Sequence, residues 1–222
     1  MSRVSEKNNF VYLTVSLVIL LLVAALVDQF PFPLGQHLVQ GLTVLTLVSG
    51  VAGYRGSRLH IRTRFGLVAA VAAIVVAGAI LDASGLHYTH LLILISFYAW
   101  ATWLAARQVL FTGTIDTNKV VGAICIYLLM GLIWAFLYLL IAQATPGAFN
   151  GLEQLPWYEN FADVSYYSYV TLTTLGYGDI SPVAPIARFL VYMEAIVGVF
   201  YMAILVASLV GIRTAAMQAE DD

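Results

Sequence analysis

An all-α membrane protein of six transmembrane helices, with a shorter helix dipping back between the fifth and sixth, is the fold class this sequence predicts. Three observations predict it. The 222 residues are 61% hydrophobic and 10% charged, against about 25% charged in a soluble domain, and the mean hydropathy of +0.90 makes lipid the solvent for most of the chain. Six apolar runs lie near the ~20 residues that cross a hydrocarbon core, where a helix satisfies its own backbone and a loop does not. The one long connection, residues 143–185, holds a stretch at 162–173 that can form a helix; at ~1.5 Å per residue it reaches only part-way through the bilayer.

The elements follow in order. Residues 1–9 are polar and carry Arg3 and Lys7, and 10–27 is an unbroken apolar run ended by Asp28, Pro31 and Pro33. A signal peptide begins with the same charge order, but its apolar region is about 7–15 residues long, so a retained helix is expected. The second span is 34–54, with Gln36, His37 and Gln40 near its start, and a ten-residue loop then gathers Arg55, Arg58, His60, Arg62 and Arg64. The third span, 65–81, closes at Asp82-Ala83-Ser84-Gly85. The fourth is 86–106, followed by Arg107 and a linker at 108–119; the fifth is 120–142. Residues 143–160, with Pro146, Gly147, Gly151 and Pro156, read as an outer turret without regular structure. The sixth span is 189–212, and a short tail ends Glu220-Asp221-Asp222.

With both termini cytoplasmic, Arg3, Lys7, Arg55, Arg58, Arg62, Arg64, Arg107, Lys119 and Arg213 all lie inside, and Arg188 alone of the 10 basic residues lies outside. That imbalance orients the chain by the positive-inside rule. It also puts Asp28, Asp82, Glu153, Glu159, Asp163 and Asp179 on the outer side. The basic loop is read first as a topology determinant with headgroup contact, and anionic lipid is the partner Arg55, Arg58, Arg62 and Arg64 would take.

Several function classes drop out. No basic stretch interleaved with aromatics stands on a polar background, so nucleic acid is not a partner. No metal cluster, nucleophile and base pair or phosphate loop appears, so neither an enzyme nor an organic cofactor is expected. Cys125, the single cysteine, lies in an apolar run and reads as a packed side chain with no disulfide partner.

The densest local chemistry is at 171–179, Thr-Leu-Thr-Thr-Leu-Gly-Tyr-Gly-Asp. Two glycines bracketing a tyrosine open backbone dihedrals closed to other residues. A strand built this way can turn successive carbonyl oxygens to one side, which an ordinary strand with alternating direction cannot. A glycine turn between two helices is the bland reading. The threonine pair, the aspartate and the flanking apolar helices favour the first.

Thr174-Leu175-Gly176-Tyr177-Gly178 resembles the selectivity filter of potassium channels, with Leu where the usual form has Val. The resemblance is specific over 161–211 and architectural before that. It implies that carbonyls of Thr174, Leu175, Gly176 and Tyr177, with the Thr174 hydroxyl, coordinate transported K+. The side chains of Leu175 and Tyr177 would wedge against the preceding helix, and Gly178 would complete the filter. Four copies are needed, so the resemblance implies a tetramer. Tyr166, Tyr167, Tyr169 and Tyr177 resemble the family's aromatic cuff, and Thr173, Val170 and Asp179 are taken as filter support. Val170 stands where some members carry a glutamate bonded to the filter aspartate, and that bond is missing here. Asp163, near the start of the short helix, suits the N-terminal dipole.

The sixth span resembles the inner, pore-lining helix. Gly198 has the spacing of the hinge glycine, with close helix packing as the equal alternative. The register carries Val199, Met202, Val206 and Val210 toward the axis, where an apolar ring could gate by dewetting, though packed bundle positions are an equal reading. Glu194 is an ionisable group deep in a span and hence a functional candidate. It is expected to bond the short helix from behind the filter rather than to touch the ion.

The fourth span has no Arg or Lys, whereas a voltage sensor carries arginines at every third position; weak or no voltage dependence is expected. His87 and His90 near its outer end are candidates for external pH sensitivity, with ordinary interfacial histidines the commoner case. No regulatory domain is expected in the tail. The domains expected are a four-helix, sensor-like unit at 1–107, a linker at 108–119, a pore domain at 120–213 and a tail at 214–222. The function expected is passive K+ conduction by a homotetramer in the plasma membrane, with the compact loops suggesting a prokaryote. The rivals are a weakly selective cation channel and a non-conducting regulatory subunit.

Overall fold

A computed structural model describes residues 9–29, 38–43, 46, 84–110 and 117–221, with backbone alone at 9, 84–87, 110, 117 and 209–221. The helices are α1 (Asn9–Gln29), α2 (Ser84–Leu110), α3 (Thr117–Ala144), α4 (Phe161–Leu172) and α5 (Pro185–Asp221), with two-residue strands β1 (Phe149–Asn150) and β2 (Ser181–Pro182). Among the described residues, four stretches are long and apolar enough to cross a membrane: Phe10–Gln29, Tyr88–Val109, Asn118–Ala144 and Pro185–Ser208. Of the expected second span, 38–43 and 46 are described and helical. The expected third span at 65–81, and Arg55, Arg58, Arg62 and Arg64, lie outside the described residues.

α3 is the centre of packing and touches α1, α2, α4 and α5, while α1 also touches α4. α1 buries Phe10, Leu13, Leu17, Leu20 and Ala24. Those spacings of three and four residues make one stripe along a helix. α2 buries Leu91, Leu94, Phe97, Tyr98 and Ala105 on the same logic. Aromatic rings carry the contact inward: Tyr98 lies 5.3 Å from Phe136, and Phe136 stacks on Phe161 at 5.6 Å. A path of rings thus runs from α2 through α3 to the first residue of α4.

Three expectations change. The turret is partly ordered, because β1 pairs antiparallel with β2 (Phe149 with Pro182, Asn150 with Ser181) and Val183 N–H donates to the Ala148 carbonyl at 2.8 Å. The chain before α4 is thereby joined to the chain leaving the filter. The tail expected at 214–222 continues α5 as far as Asp221; Ala215, Ala216, Met217, Gln218, Ala219 and Glu220 are good helix formers, so nothing stops the helix earlier. His90 is 5% exposed and meets the Trp157 ring edge-on at 4.9 Å, so it packs under the turret instead of facing outer solvent.

Candidate functional site

The site is built on α4. Asn160 precedes it, and the Asn160 amide nitrogen donates to the Glu153 carbonyl at 2.8 Å, tying the helix start to the turret. Asp163 sits in the first turn. Desolvation, and after it the negative charges of Asp28, Asp179 and Glu153, holds its carboxyl above the usual carboxylate range. These acids make the outer end electronegative, which raises local cation concentration. At the other end Thr173 caps α4 through its backbone N–H, and the Tyr127 hydroxyl donates to the Leu172 carbonyl at 3.1 Å. The helix ends one residue earlier than its sequence suggests.

Beyond Thr173 every second residue has positive φ: Thr174 at 58°, Gly176 at 59° and Gly178 at 84°. An ordinary strand alternates its carbonyls, and reversing the sign of φ at alternate residues removes that alternation. Thr174 is β-branched, for which the left-handed region is strained, and such strain concentrates at functional sites. The Val170 carbonyl accepts from Leu175 N–H at 2.9 Å and Gly176 N–H at 3.3 Å. The Leu175 and Gly176 amides therefore point back at α4, held by the Val170 backbone. The Thr173 hydroxyl lies 2.6 Å from the Tyr169 carbonyl.

In the single chain Leu175 is 56% and Tyr177 67% exposed, and of the two only the Tyr177 ring has a stacking partner on α4. The four tyrosines do not form one cuff within a chain. Tyr166 and Tyr177 stack at 6.5 Å on the exposed outer side, whereas buried Tyr167 packs 5.4 Å from Tyr138. Tyr169 donates to the Leu128 carbonyl at 2.7 Å. A helix turns about 100° per residue, so neighbours 166, 167 and 169 must face different partners.

Asp179 is held by Tyr166, whose hydroxyl donates to Oδ2 at 2.7 Å. That bond is the main cause holding the Asp179 carboxyl below its ordinary value, and it pushes the Tyr166 phenol up to about 12. Tyr166 thus does what Val170 lacks a polar group to do.

Behind the filter Glu194 is fully buried. Its Oε1 lies 2.6 Å from the Ser168 hydroxyl, and its Oε2 accepts from the Tyr138 hydroxyl. One turn on, Gly198 lies so close to α4 that an added Cβ would fall well inside contact distance of the Leu172 carbonyl. α5 is helical through Gly198, and the missing side chain lets the two backbones approach closely there. Val199, Met202 and Val206 are 54%, 45% and 53% exposed in the single chain, and the Val210 side chain lies outside the described residues.

Sequence reasoning missed Tyr138, Ser168 and Tyr127 as partners. The signal for Ser168 was its place on a helix between apolar walls, where a hydroxyl needs a partner; Tyr127 and Tyr138 lie in an apolar run and carried none. Among the described residues no group of three His, Cys, Asp or Glu could hold a metal ion.

Residues 122–214 match a protein-family model described as "Ion channel". The match takes in α4, residues 173–179 and most of α3 and α5, and it supports ion-channel function. No curated protein and no solved structure shows significant similarity to the chain.

Proposed function

We propose that the protein is a potassium-selective channel that conducts passively as a homotetramer, with α4 as the pore helix and residues 174–178 forming the filter. The observation that carries this is the alternation of positive φ at Thr174, Gly176 and Gly178, at the end of a helix only 12 residues long. A row of backbone oxygens facing one way can replace the water around a dehydrated monovalent cation. Four copies are inferred from the exposed filter: Leu175 and Tyr177 leave large apolar faces with no cover in one chain, and such faces mark an interaction surface. α5 supports the same reading, since Val199, Phe200, Met202 and Val206 are exposed along it. The chain would lie in the plasma membrane with both termini cytoplasmic and the filter mouth outward, by the placement of its basic residues. The units at 1–107 and 120–213 act as a sensor-like flank without gating charges and a pore domain.

The deciding experiment is flux through proteoliposomes containing the purified protein, with K+ against Na+ and Gly176→Ala as control. The expected result is K+ flux far above Na+ flux, lost in the variant. Equal fluxes would make it a weakly selective cation channel, and no flux at all a non-conducting subunit.

A further inference from the structure

The hydrogen bonds behind the filter can be counted by proton. Ser168 has one hydroxyl proton, yet its oxygen lies 2.7 Å from the Gly131 carbonyl and 2.6 Å from Glu194 Oε1. A backbone carbonyl only accepts. If Ser168 gives its proton to Gly131, Oε1 must bring a proton of its own. If it gives the proton to Glu194, two oxygens without a proton face each other at 2.7 Å. Glu194 Oε2 meanwhile accepts from Tyr138. Three contacts need three protons, and an ionised Glu194 leaves two.

We propose that Glu194 is held as the neutral carboxylic acid and positions the filter through a directed relay, Tyr138 to Glu194 to Ser168 to Gly131. The relay begins and ends on α3 and passes through α5 and α4. Tyr138 O–H donates to Oε2, Oε1–H donates to Ser168, and Ser168 O–H donates to the Gly131 carbonyl. Chains of this kind reinforce one another in a low-dielectric interior. The surroundings fit the neutral form. The titratable groups facing Glu194 are Tyr138 and Tyr127 of α3 and Tyr167 and Tyr169 of α4. No cation among the described residues faces it, and a buried, unpaired carboxylate is costly.

Glu194 touches no residue of the filter itself and works through α4. Ser168 lies two residues before Val170, whose carbonyl holds the Leu175 and Gly176 amides. Removing the relay proton leaves Ser168 unable to satisfy both sides, so α4 must shift and carry those amides with it. Protonation of Glu194 is thus a condition for the conducting filter: the flux present at neutral pH is lost as alkaline pH removes the proton.

The proposal rests on the channel reading, and a spectroscopic readout separates the two. Infrared difference spectra of the purified wild-type protein at neutral pH are expected to contain the C=O stretch of a protonated carboxylic acid, absent from Glu194→Gln. In proteoliposomes the wild type is expected to lose most K+ flux on alkalinisation. Glu194→Gln should keep its flux there, because its amide N–H2 donates to Ser168 and its oxygen accepts from Tyr138. Ser168→Ala, which keeps the acid but breaks the relay, should lower flux at every pH. A carboxylate signature at neutral pH, or the same alkaline loss in Glu194→Gln, overturns the proposal. A neutral-acid band in a protein that passes no ions overturns the channel reading and leaves the protonation state standing.

Discussion

Tyr166 O–H and Asp179 Oδ2 lie 2.7 Å apart across the outer end of the filter, linking the middle of α4 to the residue that follows the last filter glycine. The pairing sets a pH window. The Asp179 carboxyl is held below its usual range mainly by this bond, so its contribution is present above the ordinary carboxylate pKa and lost as pH falls through the lowered value. At the other end the phenol keeps its proton up to about 12. Tyr166→Phe is therefore expected to speed the decline of current during sustained opening at neutral pH. External acidification should do the same to the wild type, and little further to the variant. Single-channel or macroscopic recordings at stepped external pH check both.

Gly198→Ala separates two physical effects by their sign. Helix propensity alone favours alanine by ~1 kcal/mol. The added Cβ, however, meets the Leu172 carbonyl, and overpacking typically costs about 1–3 kcal/mol. The variant is expected to unfold at lower temperature in detergent; a higher unfolding temperature would mean that Gly198 is not a close-approach site.

At Gly176 no atom lies within 4 Å of an added Cβ, so a small side chain fits the space of the single chain. The backbone decides the outcome, because φ is +59° and an L-residue there costs roughly 1–2 kcal/mol. Gly176→Ala should thus leave secondary structure by circular dichroism unchanged while K+ over Na+ discrimination in liposome flux falls.

Tyr127 and Tyr201 each anchor a neighbour to or from α3 by one hydroxyl, to the Leu172 carbonyl at 3.1 Å and to the Ala123 carbonyl at 2.7 Å. Tyr127→Phe and Tyr201→Phe are each expected to lower stability by about 0.6 kcal/mol, the average for such bonds within a membrane. Tyr127→Phe should also alter gating, since its partner is the end of α4. Chemical denaturation and current recordings measure the two separately.

Residues 86–106 contain no Arg or Lys, so the membrane field has few charges to move. Conductance of the reconstituted protein should change only shallowly with voltage. A steep sigmoidal curve would require gating charge elsewhere in the chain.

Much of this was legible from residue order. Helix bounds followed from long apolar runs with polar ends, the short helix from the stretch at 162–173, and an unusual backbone from the glycines at 176 and 178. Glu194 stood out because an acid within an apolar run needs a partner. The identity of that partner was not legible, since Tyr138 is 56 residues away and apolar runs look alike from every face. His90 misled for the same reason: its position near a helix end said nothing of the Trp157 ring that covers it.

The sequence by itself determined that the chain lives in lipid and where a glycine-bracketed segment interrupts the helices. Those properties depend on composition and spacing, and both are local. Only the tertiary structure decided that Tyr166 holds Asp179, that Gly198 lies against the Leu172 carbonyl, and that the Ser168 hydroxyl sits between the Gly131 carbonyl and Glu194 Oε1. Hydrogen bonds and van der Waals contact act over a few ångströms, so their pairing is settled by how helices far apart in the chain are brought together.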